Sequence, residues 1–341
     1  MGAGSDESRA CPAADRGVSV VIPVYRSRAY IADCLASVIA QELPVHEIIL
    51  VDDCGGDDSL TIAESVLAQH SIPHRIVRPG SNRGVGGARD AAMPAVTGGL
   101  VWFLDSDDLA HPSLTARMTA AMIAADADFV SCGTEFIDEK EKFLGVVDTD
   151  PPGSVVSGRQ FAQLLIAGRF KAYAGSRIFR RELLGERPFG GRRAYEDMVA
   201  LAQLSMRANR VAFVGAPMLR YRQVGASVSN SVSPNSLALF DMGRDMQRLI
   251  EGIAETDDRR RAARNFVYRE VLIPAAHIAM RADHVGGADD PVAAELLSRS
   301  RRESSLADLG PLVRDRQWRS AAFAVGMALS PKVYSRILRH R

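Results

Sequence analysis

The stretch EIILVDDCGGDDSLTIAESVLAQH (residues 47–70) contains the pattern that decides the fold. Its first five residues, EIILV (47–51), are typical of a strand that is covered on both faces. Two aspartates, Asp52 and Asp53, follow the strand, and DDSLTIAESVLAQH (57–70) then has helical periodicity with an aspartate at its expected N-cap. The stretch is therefore a strand, an acidic turn and a helix.

The same alternation of strand and helix continues on both sides of this stretch. Strands are predicted at VSVVIPV (18–24), HRIVR (74–78), LVWFL (100–104) and DFVSCG (128–133), and helices over 31–39, 85–96 and about 112–125. Strict alternation predicts an α/β fold whose central sheet is mainly parallel, with right-handed crossovers. Ligands bind such sheets beyond the carboxyl ends of the strands, so we expect the acids that end the second and fourth strands on one rim.

Composition limits the class of protein. A chain of 341 residues with 47% hydrophobic residues can form one large domain or two. The formal charge of +1 gives no attraction to nucleic acid, and no nucleic-acid partner is expected. The four cysteines show no CxxC spacing, the polar N-terminus lacks the features of a signal peptide, and no apolar run reaches the ~18 residues of a membrane span. These features predict a cytoplasmic protein whose residues 1–17 form a disordered tail.

The stretch WFLDSDDLAHPS (102–113) places three carboxylates within four positions. Residues two apart on an extended segment point the same way, so Asp105 and Asp107 are expected to face one side together. Such a pair suits a hard divalent cation, Mg²⁺ or Mn²⁺, which takes one or two carboxylates together with water and phosphate oxygens. Acids in a loop can also be merely solvated or cap the next helix. The second acidic pair on the same rim favours the metal.

Six separated motifs occur in the order seen in family 2 glycosyltransferases of GT-A fold, and the resemblance covers about residues 18–231. The motifs are VSVVIPVYR, EIILVDDCGGDDS, NRGVGGARDAA, VWFLDSDDL, YEDMVALAQLSMRAN and LRYRQVGASVS. The resemblance implies transfer of a sugar with inversion from a nucleotide diphosphate sugar, assisted by divalent Mn²⁺ or Mg²⁺. The acceptor is then expected in a cell-surface polysaccharide or glycolipid.

The resemblance also assigns donor and metal residues. Asp53 matches the aspartate that accepts a hydrogen bond from N3–H of uracil, which would select a uridine or thymidine donor; the alternative for Asp53 is a turn-forming residue. Asp107 matches the ligand of the metal ion that bridges the diphosphate. Asp105 is expected on the ribose side and as a second metal ligand. Asp108 is counted as a third metal ligand, although its individual role is not assigned. The other positions matched to donor binding are Pro23, Tyr25, Arg89, Ser106 and Arg222.

The ED pair of the resemblance, Glu196 and Asp197, opens a predicted helix. In the family this pair supplies the catalytic base, and the match is to Asp197. A carboxylate that takes the proton of a sugar hydroxyl makes that hydroxyl a better nucleophile. Acids in the first turn of a helix also complement the helix dipole and often do nothing more.

Other residues have alternatives or depart from the family pattern. Arg89 could pair with acids on its own helix face, and Arg222 could form an ion pair at a strand edge instead of binding diphosphate. Three positions depart from the pattern: Arg26 and Asp90 replace asparagines, and Val224 stands where many relatives have a histidine. None of these departures removes a carboxylate.

Residues 232–341 are predicted to form a separate helical region, with helical periodicity over 235–255, 258–282 and 291–302. Residues 311–341 contain seven Lys or Arg residues against one Asp, and their last turns separate apolar from basic residues. This pattern is typical of an amphipathic helix lying on a membrane. A helix docked on the protein with its basic face in water fits equally well. The sequence thus predicts a glycosyltransferase domain (18–231) with a helical extension; the alternative is a non-catalytic nucleotide-sugar-binding or regulatory module. The oligomeric state is not predicted.

Overall fold

The computed structural model describes residues 17–224, 232–282, 290–330 and Tyr334. These residues form two compact units. The first unit comprises the described residues up to Phe161 together with Lys171–Arg192 and Gln203–Gln223. The second comprises Ala162–Phe170, Arg193–Ala202 and the described residues from Val224 onward. The predicted tail covers residues 1–17, of which residues 1–16 lie outside the described part of the chain.

Ten described strands form one sheet in the first unit. In chain order they are β1 (Val18–Val24), β2 (Glu47–Asp52), β3 (His74–Val77), β4 (Leu100–Phe103), β5 (Leu109–Ala110), β6 (Phe129–Ile137), β7 (Phe143–Val147), β8 (Val155–Val156), β9 (Arg177–Arg180) and β10 (Val211–Arg222).

Thirteen α-helices occur in the described residues, and α5 and α7 each contain residues of both units. They are α1 (Ile31–Ile39), α2 (Ser59–Leu67), α3 (Gly84–Ala92), α4 (Leu114–Ala125), α5 (Gly158–Ile166), α6 (Arg181–Leu184), α7 (Glu196–Arg207), α8 (Ala238–Ile253), α9 (Arg259–Val267), α10 (Ile273–Ala282), α11 (Pro291–Glu303), α12 (Leu309–Arg314) and α13 (Trp318–Leu329).

The sheet has the strand order β3-β2-β1-β4-β9-β6-β10-β5, with β7 beside β6 and β8 beside β10. The first four strands of this order are parallel, as the alternation of strand and helix predicted. Strand β9 runs antiparallel between β4 and β6, while β6 and β10 are parallel to each other. Since β2 and β3 lie on one side of β1 and β4 lies on the other, the strand order reverses between β1 and β4. Parallel sheets open a ligand crevice at such a point.

The local sequence explains how the parallel strands end. Every residue of β1 is buried, as its β-branched run requires for a strand with helices on both faces. The β1–β4 ladder ends with the pair Val21 and Phe103. Pro23, which has no N–H to donate, lies beyond that pair and costs the sheet no hydrogen bond there. The carboxyl ends of β1 and β4 are therefore open to each other.

Each unit has its own hydrophobic core. In the first unit the buried residues of β1, β2, β4 and β6 pack with those of α1, α2 and α4, and α3 contacts β1 and β2. In the second unit the core joins α8, α10, α11 and α13 around residues such as Phe240, Phe266 and Phe323. None of the helices in the described part of the chain is long and apolar enough to cross a membrane.

The predicted C-terminal helices correspond to α8, to the stretch from α9 to α10, and to α11. A π-helical turn at Tyr268–Leu272 joins α9 to α10. Most of the predicted terminal amphipathic turns fall on residues 331–333 and 335–341, which lie outside the described residues. Tyr334 is described and buried, and its ring packs against Phe323 and stacks on His277.

Candidate active site

The acid that follows β2, Asp53, is tied to the start of α3. Asp53 is buried, and its carboxylate accepts hydrogen bonds from the backbone N–H of Arg83 at 2.6 Å and of Gly84 at 3.0 Å. The side-chain amide of Asn82 donates to the same carboxylate at 3.0 Å and to the Asp53 carbonyl at 2.9 Å. The carboxylate therefore fixes loop 82–84 to the carboxyl end of β2. Its role in reading a uracil ring stays a prediction.

Tyr25 follows β1 at the open crevice and is 45% exposed. The guanidinium of Arg26 lies over the Tyr25 ring, 5.2 Å from its centroid, and Nε of Arg26 donates to the carbonyl of Gly55 at 3.2 Å. Arg26 adopts a left-handed backbone conformation, with φ of 50°. Arg26, which replaces the asparagine of the family pattern, therefore joins the loop that follows β1 to the loop that follows β2. An exposed aromatic ring in this crevice is available to a planar ligand.

Arg89 of α3 is buried beside the acids that follow β4. Its Nη2 atom lies 2.6 Å from Oδ1 of Asp105. The Arg89 guanidinium also lies over the ring of Phe189, 5.0 Å from its centroid. Arg89 thus pairs with an acid of another element. The pair gives Asp105 a positive partner, while about a third of the Asp105 side chain remains exposed.

Asp107 and Asp108 lie in different surroundings. Asp108 is 2% exposed, and its Oδ1 atom accepts the backbone N–H of Arg222 at 3.0 Å. Burial, followed by the charges of Asp107 and Asp105, raises the pKa of Asp108 well above its usual range. Asp107 is half-buried, and burial together with the neighbouring Asp105 raises its pKa to about 6. Burial is thus the main reason why these two carboxyl groups are harder to ionise than a free aspartate, and the neighbouring negative charges add to it. Ser106, between these acids, is buried.

Arg222 closes the rim from β10. Its side chain is 3% exposed, its Nε donates to the Asp107 carbonyl at 3.0 Å, and its guanidinium lies over the Tyr30 ring at 5.1 Å. Nη2 of Arg222 lies 3.6 Å from a carboxylate oxygen of Glu141, which also pairs with Arg220 at 3.0 Å. Both arginines thus contact acids of the β6–β7 hairpin. The predicted contact of Arg222 with diphosphate stays a prediction.

The predicted catalytic pair belongs to the second unit. Glu196 and Asp197 form the first turn of α7; Glu196 is buried and Asp197 is half-buried. Tyr195, just before them, has a left-handed backbone with φ of 53°, a conformation that costs a bulky residue energy and persists where the surroundings enforce it. The structure therefore fixes the backbone at the start of this helix.

Sequence reasoning missed two sets of contacts around the rim. The Asp90 carboxylate accepts the backbone N–H groups of Phe189 at 2.8 Å and of Gly191 at 2.6 Å, and so holds the loop that places Phe189 under Arg89. The second set is Tyr30 and Glu141 against Arg222. Asp90 carried a signal, because it departs from the family pattern. The other contacts join residues far apart in sequence and had no local signal.

Comparisons with known proteins define the class. Residues 19–187 match the family model "Glycosyl transferase family 2". The chain therefore belongs to the family 2 glycosyltransferases, and the resemblance drawn from the six motifs is confirmed.

Individual relatives and one solved structure agree with this class. EpsH of Bacillus subtilis (strain 168) is 26% identical over 233 residues, which is 66% of this chain and 65% of EpsH. The succinoglycan biosynthesis protein ExoO of Rhizobium meliloti (strain 1021) is 34% identical over 118 residues, 34% of this chain and 33% of ExoO. The chain thus aligns with less than two thirds of either relative. The crystal structure of S. aureus TarS 1-349 in complex with UDP-GlcNAc has a TM-score of 0.68 at 18% identity and covers 92% of each chain. This likeness confirms the predicted GT-A fold.

Proposed function

We propose that this chain is a metal-dependent glycosyltransferase that transfers a sugar, with inversion, from a UDP- or dTDP-linked donor to an acceptor hydroxyl. One observation carries the proposal: three carboxylates and two buried arginines meet where the strand order reverses between β1 and β4. A nucleotide diphosphate needs positive charge for its phosphates and a rim that holds its base and ribose. The family to which the chain belongs supports the same reaction.

The residues of the rim fit a divalent cation. Within residues 17–224, 232–282 and 290–330, no three His, Cys, Asp or Glu side chains are grouped so that they could hold a metal by themselves. A magnesium-type site needs fewer, because it takes one or two carboxylates and leaves its other positions to water and substrate phosphates. Asp107 and Asp105 are the residues that would hold the ion, since both are only partly buried, whereas Asp108 is 2% exposed and accepts the backbone N–H of Arg222. A bound Mg²⁺ or Mn²⁺ would neutralise the diphosphate that leaves.

The chain's own residues have separate parts in the proposed reaction. Asp53 and Tyr25 would receive the base, and Arg89 orients Asp105 on the ribose side through the 2.6 Å ion pair. Asp108 orients the backbone at Arg222. Asp197 would take the proton of the acceptor hydroxyl as its oxygen attacks the anomeric carbon from the face opposite the nucleotide. A single displacement of this kind inverts the configuration at that carbon.

The acceptor is proposed to be a sugar of a polysaccharide or a glycolipid at the cell surface. Its support is the name of one relative, ExoO, which is called a succinoglycan biosynthesis protein. The TarS crystal structure is a complex with UDP-GlcNAc, and we include this sugar nucleotide among the donors to be tested first.

A thermal-shift experiment tests donor and metal together. The full chain is heated with UDP, dTDP or GDP, each with Mn²⁺ and with a chelator. UDP or dTDP should raise Tm only with the metal, because ligand binding stabilises the folded state by mass action and a bound cation would offset the repulsion between the diphosphate and the rim carboxylates. Asp107→Ala should lose the metal-dependent part of the shift, while the exposed Asp150→Ala should retain it. An equal shift in chelator, or a preference for GDP, would contradict the assignment.

Turnover separates an enzyme from a non-catalytic module. Each nucleotide sugar that gives a metal-dependent shift is incubated with the protein, with and without carbohydrate acceptors, and release of the nucleotide diphosphate is measured. Release that needs Asp107 supports the transferase. Tight binding without any release by the unmodified protein would favour a binding module of the same fold.

A further inference from the structure

Helix α13 carries an apolar stripe on its solvent-facing side. Trp318 is 61% exposed, Leu329 is 75% exposed, Ala322 is exposed and Val325 is half-buried. Their spacings of four, three and four residues place them within roughly 60° of arc on an α-helix. The opposite side of α13 is buried in the second unit's core through Ser320, Phe323, Ala324 and Met327. The helix is therefore docked by one face and presents an apolar stripe with the other.

Three exposed arginines lie within four positions of Trp318 in the sequence. Arg314, Arg316 and Arg319 are all exposed, and none of them has an acidic partner among the residues that the structure describes. The one acid between them, Asp315, accepts hydrogen bonds from the side chains of Arg264 and Asn265. Within the described part of the chain, these three arginines therefore keep their charge without an acidic side chain to pair with. The chain adds Lys332, Arg336, Arg339 and Arg341 to the sequence after the helix.

We propose that this face of α13, together with the three arginines around its N-terminal end, binds the surface of an anionic lipid bilayer. An apolar stripe that ends in tryptophan and is flanked by arginines combines the groups that enter the headgroup region with those that attract anionic lipids. A helix of 12 residues is too short to span a bilayer, so the contact is peripheral.

The charge of this face favours an anionic bilayer over a second copy of the chain as its partner. Two copies packed through the same face would bring their unpaired arginines together, which opposes association. An anionic bilayer meets the arginines with opposite charge and buries the stripe at the same time. The inference is independent of the proposed reaction, because it concerns binding and no step of sugar transfer.

Intrinsic fluorescence gives a direct test on the full chain. The protein has two tryptophans, and Trp102 is fully buried with its Nε1 donating to the Gly175 carbonyl at 2.8 Å. A change in emission on adding vesicles therefore reports Trp318. Vesicles of phosphatidylcholine mixed with phosphatidylglycerol should shift the emission to shorter wavelength, and brominated lipids should quench it. Vesicles of phosphatidylcholine alone should do much less, and added salt should reverse the shift.

Variants separate the apolar and the charged parts, with co-sedimentation as the readout. Leu329→Asp should weaken binding at least about tenfold, since it puts a charge in place of the leucine that would enter the bilayer. Arg316→Gln and Arg319→Gln should each weaken it roughly fivefold. Phe143→Ser, at a residue of the first unit that is 59% exposed, is the matched control and should bind as the unmodified protein does. Far-UV circular dichroism and Tm establish that each variant is folded.

Three results would overturn the proposal. The first is equal binding to neutral and anionic vesicles, and the second is unchanged binding by the Leu329→Asp variant. The third is an emission shift that depends on protein concentration without lipid, which would indicate self-association through this face.

Discussion

Asp107 and Asp108 are adjacent in sequence, yet their surroundings separate their tasks. Asp108 accepts the backbone N–H of Arg222 and is almost fully buried, so its carboxylate is committed to holding β10 beside the rim. Asp107 is half-buried and lies closer to solvent. On these grounds Asp108 is better suited to orienting Arg222, and Asp107 and Asp105 to receiving a cation.

Substitution of Asp197 tests its proposed role as the catalytic base. Asp197→Asn should lower turnover by roughly 10²–10⁴-fold, because an amide cannot accept the acceptor's proton. Glu196→Gln should have a milder effect, because adjacent residues point about 100° apart around a helix. Steady-state transfer is measured beside UDP binding, which should change little in both variants. Near-normal turnover by Asp197→Asn would refute the role, and loss of donor binding in parallel with activity would make Asp197 a structural or donor-site residue.

Asp90 acts on the rim through the loop that it holds. Asp90→Asn should leave one of two buried N–H groups, that of Phe189 or that of Gly191, without its acceptor, at a cost of about 1–3 kcal/mol in stability. Because Phe189 packs under Arg89, the donor KM should rise while kcat changes less. Donor-dependent kinetics check this split. Asp33→Asn, on the exposed side of α1, is the control, and an unchanged KM in Asp90→Asn would contradict the positioning role.

At the scale of elements, the parallel strands could be predicted because their signal is local. Buried apolar runs mark β1, β2 and β4, and each is followed along the chain by residues with helical periodicity. The antiparallel strand β9 had no such signal, since RIFR (177–180) gains its place by pairing with β4 and β6. Strands β5 and β8, of two residues each, are too short for any periodicity.

In the candidate site, too, some features could be predicted from the sequence and others could not. Acids at strand ends could be located from sequence, because the ends of parallel strands share a rim. Their partners could not: Asp108 and Arg222 lie 114 positions apart, and Asp105 and Arg89 lie 16 apart on different elements. Only the packing of β10 and α3 brings these charges together.

Two helices meet backbone to backbone within the first unit at Gly158, the first residue of α5. A Cβ atom there would lie 2.0 Å from the carbonyl oxygen of Ser205 and 2.3 Å from that of Ala208. Gly158→Ala should therefore force the start of α5 away from the end of α7 and destabilise the protein by about 1–3 kcal/mol or more. Gly153→Ala is the matched control, since its Cβ would meet no atom closer than 4.0 Å. Equal Tm values in a thermal melt would contradict the contact.

At the scale of the whole molecule, each unit has its own core. The unit whose backbone a ligand protects therefore indicates where that ligand binds. Every rim residue proposed to bind donor or metal belongs to the first unit. The core of α8, α10, α11 and α13 belongs to the second. A ligand that binds only the native state suppresses the local openings of the structure around its site.

Hydrogen–deuterium exchange with UDP and Mn²⁺ therefore has a defined expected pattern. Peptides that cover residues 50–56, 82–92 and 103–110 should exchange more slowly, because their backbone carries Asp53, Arg89 and the acids after β4. Peptides over 238–282 should exchange at the same rate with and without ligand. Asp107→Ala in the same buffer is the control and should remove the protection, since the cation would then lose one of the two carboxylates proposed to hold it. Protection confined to 238–282 would move the donor site out of the first unit and contradict the assignment of the rim.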